Sequence, residues 1–223
     1  ISDESCVDQI ISTYENKGDD PLFVFNVTMQ NHGGYTKEAE NFTPDIKVEG
    51  VDNFACLSYL SLMKLSDKAF ERLCDYFAEQ DEDTIIIMFG DHQPSDSVVN
   101  PLLKLSGKSC SKMTEEETLI RYQVPLVIWA NFDLEKDDTD PEMSLNYLGG
   151  YVLDKAGLPL SRYQTYLAGL QKEIPVISSK KILLNDGTLY NEDAIRYDLK
   201  EELLPYRRLQ YYSLFDWNSN KIQ

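Results

Sequence analysis

Two histidines make up the whole imidazole inventory of this 223-residue chain, and each closes a short apolar run. His32 follows LFVFNVTM (residues 22–29), and His92 follows TIIIMF (residues 84–89). Gly33 and Gly34 come after the first histidine and Gly90 stands before the second. Glycine lets a backbone turn sharply and approach a ligand closely. Asp91-His92 sets a hard carboxylate beside a borderline imidazole, a pairing that suits Zn²⁺ or Mn²⁺ better than Ca²⁺, which prefers oxygen throughout. The plain alternative is a turn aspartate capping the next helix beside a solvated histidine. The apolar run, the glycine and the second strand-end histidine weigh against it. A catalytic metal normally has three protein ligands and an open position. Asp96, Glu38 and Glu40 lie nearby in sequence, but no pattern marks them as ligands. The chain has no G-x-S-x-G elbow, P-loop or G-x-G-x-x-G.

The elements that must carry these turns can be read from hydrophobic period. Residues 5–16 space Cys6, Ile10, Ile11 and Tyr14 as a helix, with Ser5 as its cap. Residues 22–29 read as a strand covered on both faces. Residues 52–65 and 67–80 read as two helices with Ser66 capping the second. Residues 84–89 and 122–130 read as further buried strands, and 98–105 and 144–156 as helices. Glu115–Glu117 read as a solvated helix end. Further on, 174–177, 181–184 and 189–190 suggest short strands, with Asn185-Asp186-Gly187 as a hairpin-type turn. A last helix is expected over 193–204. Apolar strands alternating with helices over 5–160 predict an α/β domain with a largely parallel sheet flanked by helices. In such sheets ligands bind beyond the carboxyl ends of the strands. If the two histidine-bearing strands are parallel neighbours, both imidazoles face one crevice.

Composition bounds the function. The chain holds 38 acidic residues against 21 Lys and Arg, a formal net charge of −17. That sign argues against duplex nucleic acid and against electrostatic adsorption to anionic lipid. It is compatible with a divalent metal. The 9 Phe, 14 Tyr and 2 Trp exclude an acidic disordered tail. No apolar run approaches the roughly 18–20 residues of a membrane span. The N-terminal ISDESCVD has neither part of a signal peptide. Cys6, Cys56, Cys74 and Cys110 are spaced like no zinc module and read as small buried apolar side chains, with disulfides left open.

Three segments, PLFVFNVTMQNHGGY (21–35), IIIMFGDHQP (85–94) and YQVPLVIWAN (122–131), in that order, resemble the sulfatase-like branch of the alkaline phosphatase superfamily. Within it they look most like the lipoteichoic acid synthase and phosphoglycerol transferase group. The resemblance covers residues 1–160, as the C-terminal portion of a sulfatase-like catalytic domain. Residues 161–223 are expected to be a C-terminal extension of short strands and a helix packed on the same domain. The resemblance implies an alkaline phosphatase-like fold truncated on its N-terminal side. It implies one divalent metal ion, Mn²⁺ (alternatives Zn²⁺, Mg²⁺ and Ca²⁺), held in part by Asp91 and His92, and a substrate-binding His32.

The implied chemistry is attack by a threonine oxygen on the phosphorus of a phosphatidylglycerol-type head group, giving a glycerophosphoryl-enzyme. The threonine and the acidic metal ligand are expected upstream of this chain. Thr13 lies in the first helix without suitable neighbours, so no catalytic nucleophile is assigned here. The expected parent is a metal-dependent phosphoglycerol transferase of cell-envelope polymer synthesis, anchored at the extracytoplasmic face of a bacterial membrane by segments missing here. The chain alone is expected to bind metal weakly and turn over nothing. Two alternatives stand beside it: a sulfatase or phosphodiesterase of the same superfamily, and a non-catalytic binding domain derived from the fold. A truncated sheet exposes an edge, so self-association is expected.

Overall fold

The computed structural model describes residues 1–35, 40–134, 142–178, 181–191 and 197–215. By contact the chain divides into two compact units, Ile1–Asp133 and Leu134–Gln223. The sequence reading places its boundary later, at 160/161.

In the first unit, α1 (Asp3–Glu15) is capped by Ser2, not Ser5: the Ser2 hydroxyl accepts from the Ser5 N–H. Its apolar stripe of Val7, Ile10, Ile11 and Tyr14 packs on Ala69, Leu73 and Phe77. Those three belong to α2 (Phe54–Ala78), a single 25-residue helix capped by Asn53. The two expected helices are therefore one, and Ser66 lies in its interior. No glycine or proline interrupts residues 54–78, so the i→i−4 ladder runs on through Ser66.

Strand β1 (Ile85–Phe89) leads to α3 (Asp96–Leu105), α4 (Glu115–Ile120) and β2 (Leu126–Ala130). Glu115, Glu116 and Glu117 form the first turn of α4 under a Thr114 capping box. Ile86 and Trp129 back onto the α1–α2 cluster. The pairing of β1 with β2 is antiparallel, Ile85 opposite Ala130 and Phe89 opposite Leu126. The parallel pairing expected from the sequence is not found among the described strands. The Gly90 N–H donates to the Pro125 carbonyl at 3.2 Å, so the chain leaves β1 and enters β2 at the same end of the pair. A connection that starts and finishes at one end must join antiparallel strands. Asn131 closes the other end: its Oδ1 accepts from Thr84 N–H at 2.7 Å, and its Nδ2 donates to the Phe77 carbonyl at 3.1 Å.

Residues 21–29 are the largest departure. They join no ladder among the described residues. Phe23, Phe25 and Val27 are 88, 72 and 67% exposed, so the expectation of a strand buried on both faces fails here. A strand needs a partner backbone on at least one side, and none pairs with this run among the described residues.

The second unit holds α5 (Leu148–Lys155), α6 (Arg162–Glu173), β3 (Val176–Ile177), β4 (Lys181–Leu183), β5 (Leu189–Asn191) and α7 (Tyr197–Phe215). The three strands form an antiparallel meander. Its β4–β5 turn has Gly187 at φ +83°, a left-handed conformation that glycine adopts freely. Ile174, Ile182, Leu199 and Leu203 form one buried cluster, and Tyr147, Leu167 and Tyr206 another. Helix α6 was not anticipated from sequence, although Ser161 and Gln164 form its capping box. The start of the expected 193–204 helix lies outside the described residues.

The four cysteines are free, with Cys56 fully buried. No helix among the described residues is long and apolar enough to cross a membrane.

Candidate metal and phosphate-ester site

Asp91 and His92 stand where the antiparallel pair opens. Gly90 is needed there for closeness rather than for a special φ: a Cβ at this position would stand 3.1 Å from Val124 Cβ. Beyond it, Asp91 Oδ1 accepts the His92 N–H at 2.8 Å. His92 Nδ1 lies 2.9 Å from the Gln93 carbonyl. A carbonyl can only accept, so Nδ1 carries the proton and Nε2 is the nitrogen left to ligate. Nε2 faces Asp91 Oδ2 at 3.6 Å, and both side chains are largely exposed.

The turn is tied down from its far side. Gln93 Nε2 donates to the Ile120 and Gln123 carbonyls at 2.7 and 2.8 Å, while its Oε1 accepts from Arg121 Nη1 at 2.6 Å. Arg121 Nη2 reaches the Pro94 carbonyl and Asp96 Oδ1. Asp96 is thereby engaged in an ion pair, and Glu38 lies outside the described residues.

The donors fit a divalent ion. A tetrahedral centre with bonds of about 2.1 Å separates two ligand atoms by about 3.4 Å, close to the 3.6 Å between Nε2 and Oδ2. The hydrogen-bonded Nδ1 is the usual companion of a metal-ligating imidazole. Among the described residues no third His, Cys, Asp or Glu joins the pair.

His32 sits exposed on a second turn, its N–H donating to the Met29 carbonyl at 3.2 Å. Asn31 and Gln30 anchor that turn to α2. Asn31 Nδ2 donates to Ser66 Oγ at 2.8 Å, and Gln30 Nε2 donates to the Leu62 carbonyl at 3.3 Å. Tyr35 closes the turn: its hydroxyl donates to the Asn31 carbonyl, and its ring meets Tyr59 edge-on at 5.5 Å. Burial, then Tyr59, then the charge of Asp91 push the Tyr35 phenol up. The structure pairs Asp91 with His92 directly, and His32 sits on a separate turn anchored to α2.

The anchoring residues Gln30, Asn31, Gln93 and Arg121 escaped the sequence reading. The signal for Gln30, Asn31 and Gln93 is a side-chain amide beside each histidine; Arg121 has none.

The family profile described as Sulfatase matches residues 1–158, which is most of the chain. The chain belongs to the sulfatase family. As a sulfatase-family chain it is 28% identical over 221 residues to a Rhizobium meliloti (strain 1021) protein named for cyclic beta-1,2-glucan modification. That alignment takes in 96% of this chain and 34% of the relative, so the chain spans about a third of the length of that relative.

Among solved structures, the Streptococcus pyogenes phosphoglycerol transferase GacH, in complex with sn-glycerol-1-phosphate, has the same fold. The TM-score is 0.56 at 20% identity, over 80% of this chain and 43% of GacH. The likeness to GacH bears out the alkaline phosphatase-like fold class, with mixed helices and strands.

Proposed function

We propose that this chain is the portion of a sulfatase-family phosphoglycerol transferase that supplies the Asp91–His92 metal ligands and the substrate-contacting His32. The observation that carries the reading is the fixed tautomer: Nδ1 is committed to the Gln93 carbonyl, and Nε2 is turned toward Asp91 Oδ2. Both site turns are pinned through side-chain amides, as a site that must hold its geometry against a charged substrate requires.

The ion in this reading is Mn²⁺, and when bound it neutralises phosphoryl charge and acidifies an oxygen nucleophile. His32 offers an N–H donor to a phosphate oxygen. Asp91 holds the His92 backbone N–H and presents its other oxygen as a ligand. The nucleophile and the remaining ligands belong, on the family resemblance, to polypeptide preceding these residues. The transferred group is glycerol phosphate from a phosphatidylglycerol-type head group, handled at the extracytoplasmic face of the membrane.

The test is metal content. In the full-length protein, Asp91→Ala and His92→Ala each lower Mn²⁺ uptake at least tenfold. Uptake equal to wild type in both would sink the assignment.

A second reading concerns the acceptor. The Rhizobium relative is named for a glucan, which favours a glycan acceptor over a growing glycerol phosphate polymer. Transfer of labelled glycerol phosphate to cyclic glucan, against transfer to polyglycerol phosphate, separates the two.

A further inference from the structure

Beneath the His32 turn lies a polar cluster that the proposed reaction leaves without a role. Asp3 is only 6% exposed, in the first turn of α1, where the positive end of the helix favours a carboxylate. Its Oδ2 accepts the Ser66 hydroxyl, and its backbone N–H donates to Gln30 Oε1 at 3.1 Å. Ser66 Oγ in turn accepts from Asn31 Nδ2 at 2.8 Å and from Gln30 Nε2 at 3.3 Å. Asp3 Oδ1 and Asn31 Oδ1 are buried without a partner among the described residues, so every unmet need in the cluster is for a donor.

We propose that Asp3 is a positioning residue for the His32 turn, acting by fixing the direction of the Ser66 hydroxyl. This rests on the reading of His32 given above. A hydroxyl has one proton. While Asp3 holds it, Ser66 can only accept, and both side-chain amides of residues 30 and 31 must present N–H to it.

The same helix shows the alternative. Ser61 donates to the carbonyl four residues back, Leu57, at 2.8 Å, the ordinary resting bond of a serine inside a helix. For Ser66 that carbonyl is Leu62, which already accepts from Gln30 Nε2 at 3.3 Å. Without Asp3, the Ser66 proton turns to Leu62. It then competes with Gln30 for that carbonyl, and the bond that seats Gln30 on α2 weakens. Ser66 Oγ still accepts, as Ser61 Oγ does from the Asp45 and Ile46 N–H groups while donating to Leu57.

The test is amide hydrogen exchange on the 223-residue chain, read at His32, whose N–H is bonded to Met29 within the turn. Asp3→Ala and Ser66→Ala are each expected to speed exchange at His32 about tenfold, the change that loss of one hydrogen bond produces. Val7 and Leu73, in the α1–α2 core, keep their rates. Ser66→Thr, which retains the hydroxyl, restores the slow rate. Asp3→Asn, which retains an acceptor oxygen, does the same and covers the case in which Asp3→Ala fails to fold.

Unchanged exchange at His32 in Asp3→Ala and Ser66→Ala overturns the proposal. So does an equal rise at His32 and in the core, which is what a merely structural role gives. The reading of His32 itself is tested separately by sn-glycerol-1-phosphate binding to full-length His32→Ala. Wild-type affinity there would defeat that reading while leaving the exchange result standing.

Discussion

Gln93 shows how a residue with no chemistry of its own governs one that has it. Its backbone carbonyl sets the His92 tautomer, and its side-chain amide makes three contacts, to Ile120, Gln123 and Arg121, that hold that carbonyl in place. Gln93→Leu keeps the size of the side chain and removes all three. The expected outcome is a fall of about 10–100-fold in Mn²⁺ affinity of the full-length protein, the usual effect of losing support behind a ligand. The change in thermal stability should be small, because the turn is exposed. Isothermal titration with Mn²⁺ reads the first and calorimetry the second; a large loss of stability with unchanged affinity would show that Gln93 serves the fold instead. The candidates at this site were visible in the sequence because the chain has two histidines, each after an apolar run and beside glycine, with Asp91 next to His92. Their supports were not, since Gln93 and Asn31 act through partners about 30 residues away, at Ile120 and Ser66. No local pattern reports such a distance.

Element by element, short-range rules worked where the deciding forces were local. The α1 stripe, the β1 run and the Gly187 turn were legible from period and turn chemistry. Ser66 misled because a serine at a helix start and a serine in a helix interior look alike until its partner, Asp3, is known. The direction of β2 relative to β1 was illegible because period-2 and apolar runs carry no sign.

The helices of the second unit carry a pH dependence that can be signed. Burial raises the phenols of Tyr147, Tyr163, Tyr166 and Tyr206. Tyr147 is 1% exposed, and its hydroxyl donates to the Ile174 carbonyl at 2.8 Å. These groups stay protonated in the fold while the unfolded chain ionises near pH 10. Stability is therefore complete below about pH 10 and falls above it, by about 1.4 kcal/mol per pH unit for each fully buried phenol. Tyr147→Phe should unfold earlier at neutral pH, by about 1–3 kcal/mol for the orphaned carbonyl, yet lose less between pH 10 and 11. Urea midpoints followed by circular dichroism across that range decide it; parallel decline in both proteins would refute the role of Tyr147.

On the scale of the whole chain, the net charge of −17 and the bare run at 21–29 oppose each other. Phe23, Phe25 and Val27 are exposed together with Leu22, Val24 and Met29, and the run joins no ladder among the described residues, so it offers an apolar edge for another chain to pair with. For the 223-residue chain in solution the expected occupant of that edge is a second copy pairing through the same residues. Like charge holds the copies apart at low ionic strength, where the screening length is about 10 Å at 0.1 M salt. At about 1 M salt it shrinks to about 3 Å and the apolar attraction remains. Association is therefore expected to strengthen with salt, the reverse of a contact built on ion pairs. Sedimentation velocity over a concentration series at both salts measures it, and Phe25→Lys with Val27→Lys should return the chain to monomer. These two positions lie outside the Asp3, Gln30, Asn31 and Ser66 cluster, so the exchange rate at His32 should survive in that variant. A wild-type chain that stays monomeric at every concentration and salt would show that the run is satisfied without a partner, and the edge would then lose its standing as an interface.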